Sequence, residues 1–244
     1  MKKRSNISNN YSPNFSVLKR SKENIKYIII HYTGMKNQNS AIKRLCDEKK
    51  KVSAHYFIKN NGDTLRLVPE SYEAWHAGKS KWKKIKSLNK YSIGIEINNQ
   101  GHSFKYNNFT AQQINSLKKL LKLLIKRYHI NIENILGHSD IAPERKKDPG
   151  EKFPWRVLAK SKLSKWHNLN ENKLKKLRLI KLNKLENRDF FNNLYRIGYQ
   201  KINNLTYSSS KKFLIKAFQR HFRQSLINGN LDQECLMISK NLIK

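Results

Sequence analysis

Ile25-Lys26-Tyr27-Ile28-Ile29-Ile30-His31 reads as one buried strand, because β-branched residues dominate it and a single lysine interrupts it. A second apolar run, Ser92-Ile93-Gly94-Ile95-Glu96-Ile97, reads the same way, with Glu96 standing out inside it. Val52 to Ile58 alternates as a strand, and Asn60-Asn61-Gly62-Asp63 turns it into Thr64 to Val68, which predicts a hairpin. Helical patterns lie between these runs. Ser40 is expected to cap a short helix carrying Ile42 and Leu45 on one face. Thr110 followed by Gln113 has the form of a capping box, and Ile114, Leu117, Leu121, Leu124 and Tyr128 then recur at helical spacing. Strands interleaved with helices predict an α/β fold, a mixed central β-sheet flanked by helices.

Outward from that core the pattern changes. Residues 1–24 are polar and basic and read as a flexible N-terminal arm, followed by the main domain over 25–160. A basic connector occupies 161–184. Residues 185–244 form a small all-α module of three helices, with Phe190, Leu194, Ile197, Leu214, Phe218 and Phe222 on its apolar face.

The 244 residues carry 51 Lys and Arg against 17 Asp and Glu, a formal net charge of +34. Such an excess attracts polyanions, and part of it reflects a composition rich in Lys, Asn and Ile. No nucleic-acid-binding motif accompanies the charge, so nucleic acid is not the expected partner. Cys46 and Cys235 are far apart and outside any C-x-x-C spacing, which argues against a disulfide framework or a cysteine-rich metal site. The run Tyr27 to Ile30 is too short for a signal-peptide core or a membrane span. A cytoplasmic protein is therefore expected, with a periplasmic one as the alternative.

The chemistry concentrates in Gly137-His138-Ser139-Asp140-Ile141-Ala142-Pro143, which continues through Lys146 to Asp148-Pro149-Gly150. His31 at a strand end, with His138 and Asp148 from this loop, makes the two-imidazole, one-carboxylate set that a catalytic zinc uses when it keeps one position open for water. Glu96, placed where a strand favours an apolar side chain, is the candidate general base, carrying the water's proton to the leaving amine. Lys146 is the candidate for stabilising the developing oxyanion. His55 in Ser53-Ala54-His55-Tyr56 reads as a buried histidine within a strand. His76 in Ala74-Trp75-His76-Ala77-Gly78 suits a substrate-groove wall, while His102, His129, His167 and His221 carry no pattern.

Taken together, these motifs resemble the zinc-dependent N-acetylmuramoyl-L-alanine amidases, whose fold is shared with the peptidoglycan recognition proteins. The resemblance rests on Ile29-Ile30-His31-Tyr32-Thr33, Ser53 to Tyr56, Ala74 to Gly78, Ser92 to Glu96, Gly137 to Pro143, Arg145 to Gly150 and Phe153-Pro154-Trp155, in order over roughly residues 11–165. It implies one zinc held by His31, His138 and Asp148, Glu96 as catalytic acid and base, and Lys146 as the second catalytic residue. It also implies hydrolysis of the amide between the lactyl group of N-acetylmuramic acid and L-alanine, and a substrate contact surface including Tyr32, Trp75, His76 and Ala77. Peptidoglycan or muropeptides, 1,6-anhydro forms included, are then the expected partners of a monomeric enzyme, and a non-catalytic peptidoglycan-binding protein of the same fold is the alternative. Leu194 to Tyr199, Ala217 to Phe222 and Gly229 to Asp232 resemble the three-helix peptidoglycan-binding domain of some of these amidases. The first Asp-Gly-rich loop of that domain is replaced here by Lys201 to Lys212, and Cys235 stands where threonine is common.

Overall fold

The computed structural model describes residues 7–201 and 207–244. Its central sheet has six strands in the order Ile7–Asn9, Thr64–Arg66, Tyr56–Ile58, Ser92–Ile97, Tyr27–Tyr32 and Ile135–Gly137. All neighbours run parallel except the hairpin, in which Tyr56 pairs with Arg66 and Ile58 with Thr64. The mixed sheet expected from the sequence is therefore present. The helices are α1 (Gln38–Cys46), α2 (Ala111–Tyr128), α3 (His138–Ile141), α4 (Trp155–Lys160), α5 (Glu171–Leu177), α6 (Lys184–Ile197), α7 (Tyr207–Phe222) and α8 (Gln233–Leu242).

Period-two alternation sorts the strand residues onto two faces. Ile28, Ile30, Ile93, Ile95 and Ile97 pack on one face with Ile114, Leu117, Leu121 and Leu124 of α2. The capping box of α2 forms as read: Thr110 Oγ1 accepts from the Gln113 N–H, and Gln113 Oε1 accepts from the Thr110 N–H. On the opposite face, Tyr27, Ile29 and Leu136 share a cluster with Phe190, Leu194, Phe218 and Leu236 from the C-terminal helices. Farther along that face, Ala41 and Leu45 of α1 cover Phe57 and Leu65. The functional site lies on the stretch between these two coverings.

Several expectations change. Residues 7–24 are not a flexible arm; residues 1–6 lie outside the described residues. Ile7–Asn9 adds an edge strand beside Thr64–Arg66, and Phe15–Ser16 pairs with Glu73–Ala74. Asn14 Nδ2 donates to the carbonyls of Asp47 and Val52 at 2.9 Å each, and Arg20 donates to the carbonyls of Asn89 and Ser92 at 2.8 and 2.7 Å. Polar side chains reaching distant backbone hold this segment, so no hydrophobic pattern announces it. Helix α1 starts earlier than expected, with Asn37 rather than Ser40 as the cap: Asn37 Oδ1 accepts from the Ser40 N–H. The second strand covers only Tyr56–Ile58, and Ser53, Ala54 and His55 precede it as buried irregular chain.

The three C-terminal helices are present, but they are not set apart from the main domain. Trp82, Ala77 and Ile141 lie in the same cluster as Phe190 and Phe218, and the expected connector contributes Leu174 of α5 to it. Both cysteines are free. Among the described residues no helix is long and apolar enough to cross a membrane.

Candidate metal and catalytic site

Parallel strands present ligands at their carboxyl ends, and His31 is the penultimate residue of Tyr27–Tyr32. His138 was expected in a loop and instead opens α3, directly after the Ile135–Gly137 strand. Asp148 comes from the loop beyond, held back onto α3 by a hydrogen bond from the Ser139 N–H to its carbonyl at 2.8 Å. Gly137 permits this return, since a Cβ there would come within 2.7 Å of Pro149 Cδ.

The three side chains converge. His31 Nδ1 lies 2.9 Å from His138 Nδ1 and 3.0 Å from Asp148 Oδ2, and His138 Nδ1 lies 3.1 Å from the same oxygen. All three residues are buried. His138 donates its Nε2–H to the Ala77 carbonyl at 3.1 Å, which turns Nδ1 into the cluster. Burial, then the neighbouring His138, lowers the His31 pKa to about 4, so its ring is neutral at pH 7. Burial alone would raise the Asp148 carboxyl, but the His138 and His31 rings override it and hold it well below the usual carboxylate range. A set of two imidazole nitrogens and one carboxylate of this kind fits zinc, whose nitrogen and oxygen ligands sit about 2.0–2.2 Å from the ion. Among the described residues it is the group of three such side chains that could hold a metal ion.

Glu96 stands beside His31 in register on the adjacent strand. Its Oε2 is buried without a hydrogen-bond partner. Burial, reinforced by the Asp148 charge and opposed by Lys146, pushes its carboxyl up to about 8. Lys146, in the loop before Asp148, lines the same cleft of about 460 Å³ as Glu96 and the three ligand candidates. The five residues singled out for catalysis and metal binding therefore meet in one place.

The four expected wall residues divide. Tyr32, Trp75 and His76 line the cleft. Tyr32 donates its hydroxyl to His102 Nδ1 at 2.8 Å, and Trp75 donates Nε1–H to Ser16 Oγ at 3.1 Å. Ala77 has a fully buried side chain and acts through its carbonyl, behind His138. His76, besides lining the cleft, backs a ligand, with Nδ1 3.0 Å from His31 Nε2. His55 is buried as expected, its Nδ1 accepting from the Gly94 N–H at 3.0 Å.

Sequence reading missed His102, which reaches Glu151 through Nε2 at 3.1 Å on the cleft rim. It also missed Ser92, whose hydroxyl contacts His76. The sequence signal for Ser92 was its place on the same strand face as Gly94 and Glu96, two and four residues on.

Comparison with known proteins gives the chain its relatives. A family profile described as N-acetylmuramoyl-L-alanine amidase matches residues 21–151. N-acetylmuramoyl-L-alanine amidase AmiD of Escherichia coli is 37% identical over 232 residues, covering 90% of this chain and 83% of the relative. The 1,6-anhydro-N-acetylmuramyl-L-alanine amidase AmpD of Enterobacter cloacae is 40% identical over 104 residues, 43% of this chain and 54% of the relative. The structure of AmiD from E. coli with anhydro-N-acetylmuramic acid-L-Ala-D-γ-Glu-L-Lys superposes with a TM-score of 0.80 at 33% identity, covering 93% of this chain and 91% of that one. AmpDh3 of Pseudomonas aeruginosa with anhydromuramic pentapeptide gives 0.78 at 30% identity, covering 93% of each chain.

Proposed function

The chain belongs to the N-acetylmuramoyl-L-alanine amidase family, and we propose that it works as a zinc enzyme on muropeptides, with His31, His138 and Asp148 as the ligands. It is an amidase of the bond between the lactyl carbonyl of N-acetylmuramic acid and L-alanine. The observation that carries the zinc reading is the convergence of two Nδ1 atoms and one carboxylate oxygen within 3.1 Å at the base of a cleft. When bound there, zinc supplies Lewis acidity and brings the pKa of a water from about 15.7 to about 7.

The chain's own groups carry the proton. Glu96 takes it from the attacking water and returns it to the departing amine of L-alanine. A carboxyl pushed up to about 8 suits both halves of that duty near neutral pH. Lys146 stands beside the lactyl carbonyl oxygen as negative charge develops on it. Tyr32 and Trp75 border the peptide and sugar.

The anhydro-muropeptides seen with AmiD and AmpDh3 support the same substrate class here. Helices α6 and α7, with Gly229 to Leu231 before α8, are assigned to contact with the polymer, through a basic and aromatic groove of about 1220 Å³ that includes Arg188, Phe191 and Lys211. The deciding experiment follows release of L-alanyl peptide from an anhydro-muropeptide by the purified protein, with and without a chelator. Chelation should abolish release and added zinc restore it, and Glu96→Gln should lower kcat by about 10²–10⁴-fold. Full activity in the chelated protein, or in the Glu96→Gln variant, would overturn the mechanism.

A further inference from the structure

We propose that Ser92 and His76 are positioning residues that fix the tautomer of His31, so that its Nδ1 lone pair, and not an N–H, faces the metal pocket. This rests on the reading of His31 as a ligand. An imidazole on a strand end has two neutral tautomers, and only one of them leaves Nδ1 bare. A hydrogen on His31 Nδ1 would be held by Asp148 Oδ2, 3.0 Å away, and would stand in the position of the cation.

A chain of hydrogen bonds starting from the backbone settles the choice. The Leu88 carbonyl can only accept, and the Ser92 hydroxyl lies 2.6 Å from it, so the hydroxyl hydrogen is committed there. Ser92 Oγ must then accept from its other partner, His76 Nε2 at 3.2 Å. His76 therefore carries its one hydrogen on Nε2, and its Nδ1 is a lone pair. That lone pair faces His31 Nε2 at 3.0 Å and accepts the hydrogen there. His31 Nδ1 is left bare. Each decision passes along one bond, from a carbonyl that has no choice to a ligand that otherwise would.

The surroundings keep the chain closed. Ser92, His76 and His31 are 0%, 9% and 2% exposed, so bulk water does not compete for these bonds. Gly94 provides the room, because a Cβ there would stand 2.3 Å from His76 Cγ. His138 is oriented by a shorter route, through the Ala77 carbonyl. Partners of this kind, lying behind metal-binding histidines, typically change metal affinity 10–100-fold when removed.

The test reads the hydrogens directly and then their effect. Long-range ¹H–¹⁵N spectra of the full-length, metal-free protein at pH 7 should show His31 and His76 both protonated at Nε2. A hydrogen on Nδ1 of His76 overturns the proposal whatever the variants do. Zinc dissociation constants, measured by competition with a chelator, should rise 10–100-fold in His76→Phe, which keeps a ring but offers no acceptor. His76→Asn, whose Oδ1 can accept the His31 Nε2–H, should recover most of that loss. Equal affinity in His76→Phe and the unaltered protein also overturns it. Should the unaltered protein bind no zinc, the ligand assignment fails, while the spectra still decide the tautomers by themselves.

Discussion

The two faces of the central sheet are built from the same strands and do different work. On the two central strands one face carries Ile28, Ile30, Ile93, Ile95 and Ile97, and α2 closes it with Ile114 and leucines. The other alternates Tyr27, Ile29 and His31 on one strand with Ser92, Gly94 and Glu96 on the next. The first is a pure hydrophobic seam, for which only shape and volume matter. The second divides its length between packing against the C-terminal helices and a row of polar groups whose hydrogens and charges must be assigned one by one. Stability and catalysis are thus separated by a single-residue step along the chain.

The contrast between the faces is tested most severely at the C-terminal helices. If they are a layer of the same core, Phe218→Ala should cost about 3–5 kcal/mol and Leu121→Ala about 2–5 kcal/mol. Both should lower one common thermal transition. Two transitions, each answering to only one substitution, would show that the helices fold apart.

The polar face should also hold a cost that the apolar face lacks. The buried Glu96 carboxyl is raised from 4.5 to about 8. Its contribution to stability is therefore full below about pH 4.5 and drains away as the pH climbs through 8, because the folded state resists losing that proton. In the metal-free protein, Glu96→Gln should gain stability over the unaltered chain progressively between pH 5 and pH 9, by at most a few kcal/mol. A difference independent of pH would mean that the carboxyl is solvated after all.

Smaller effects are expected where the second face meets the helices. Asp140, in α3 beside His138, accepts from the Gly137 N–H at 2.7 Å, the Tyr199 hydroxyl at 2.7 Å and His221 Nδ1–H at 2.8 Å. Asp140→Asn should destabilise by about 1–3 kcal/mol and weaken zinc binding, because it loosens the helix that carries His138. Tyr199→Phe, which removes one bond and keeps the ring, should cost about 1 kcal/mol and leave zinc affinity unchanged. Denaturant unfolding and chelator competition measure the two quantities separately.

What the sequence disclosed follows the same division. Ile25 to Ile30 and Ser92 to Ile97 are legible because a fully buried strand must be apolar, and α2 because its cap and its leucine spacing are local. His31, Glu96, His138, Lys146 and Asp148 are legible because each departs from what its neighbourhood favours or lies in a punctuated loop. The support that His76 gives His31, and the role of the Ala77 carbonyl, were not legible. Whether a residue faces the cleft or stands behind a ligand depends on contacts such as that between His76 and His31, made across 45 positions. Residues 7–24 escaped for a related reason: Asn14 and Arg20 are held by backbone carbonyls 33 to 72 residues away, which leave no periodic trace. The separate look of residues 185–244 came from their own helical period, which is silent about the Tyr27 and Ile29 side chains they cover.

The pairing of His31 with Glu96 across neighbouring parallel strands bears on how the enzyme could be engineered. Adjacent strands stand about 4.7–4.9 Å apart in every sheet, so the backbone lattice itself gauges the gap between the metal side and the proton carrier. Lys146 and Asp148 ride on a loop and enjoy no such gauge. A library that varies the cleft rim around Tyr32 and His102 to admit other acyl groups therefore leaves the proton-transfer distance alone. One that varies residues 143–147 retunes the electrophilic side independently.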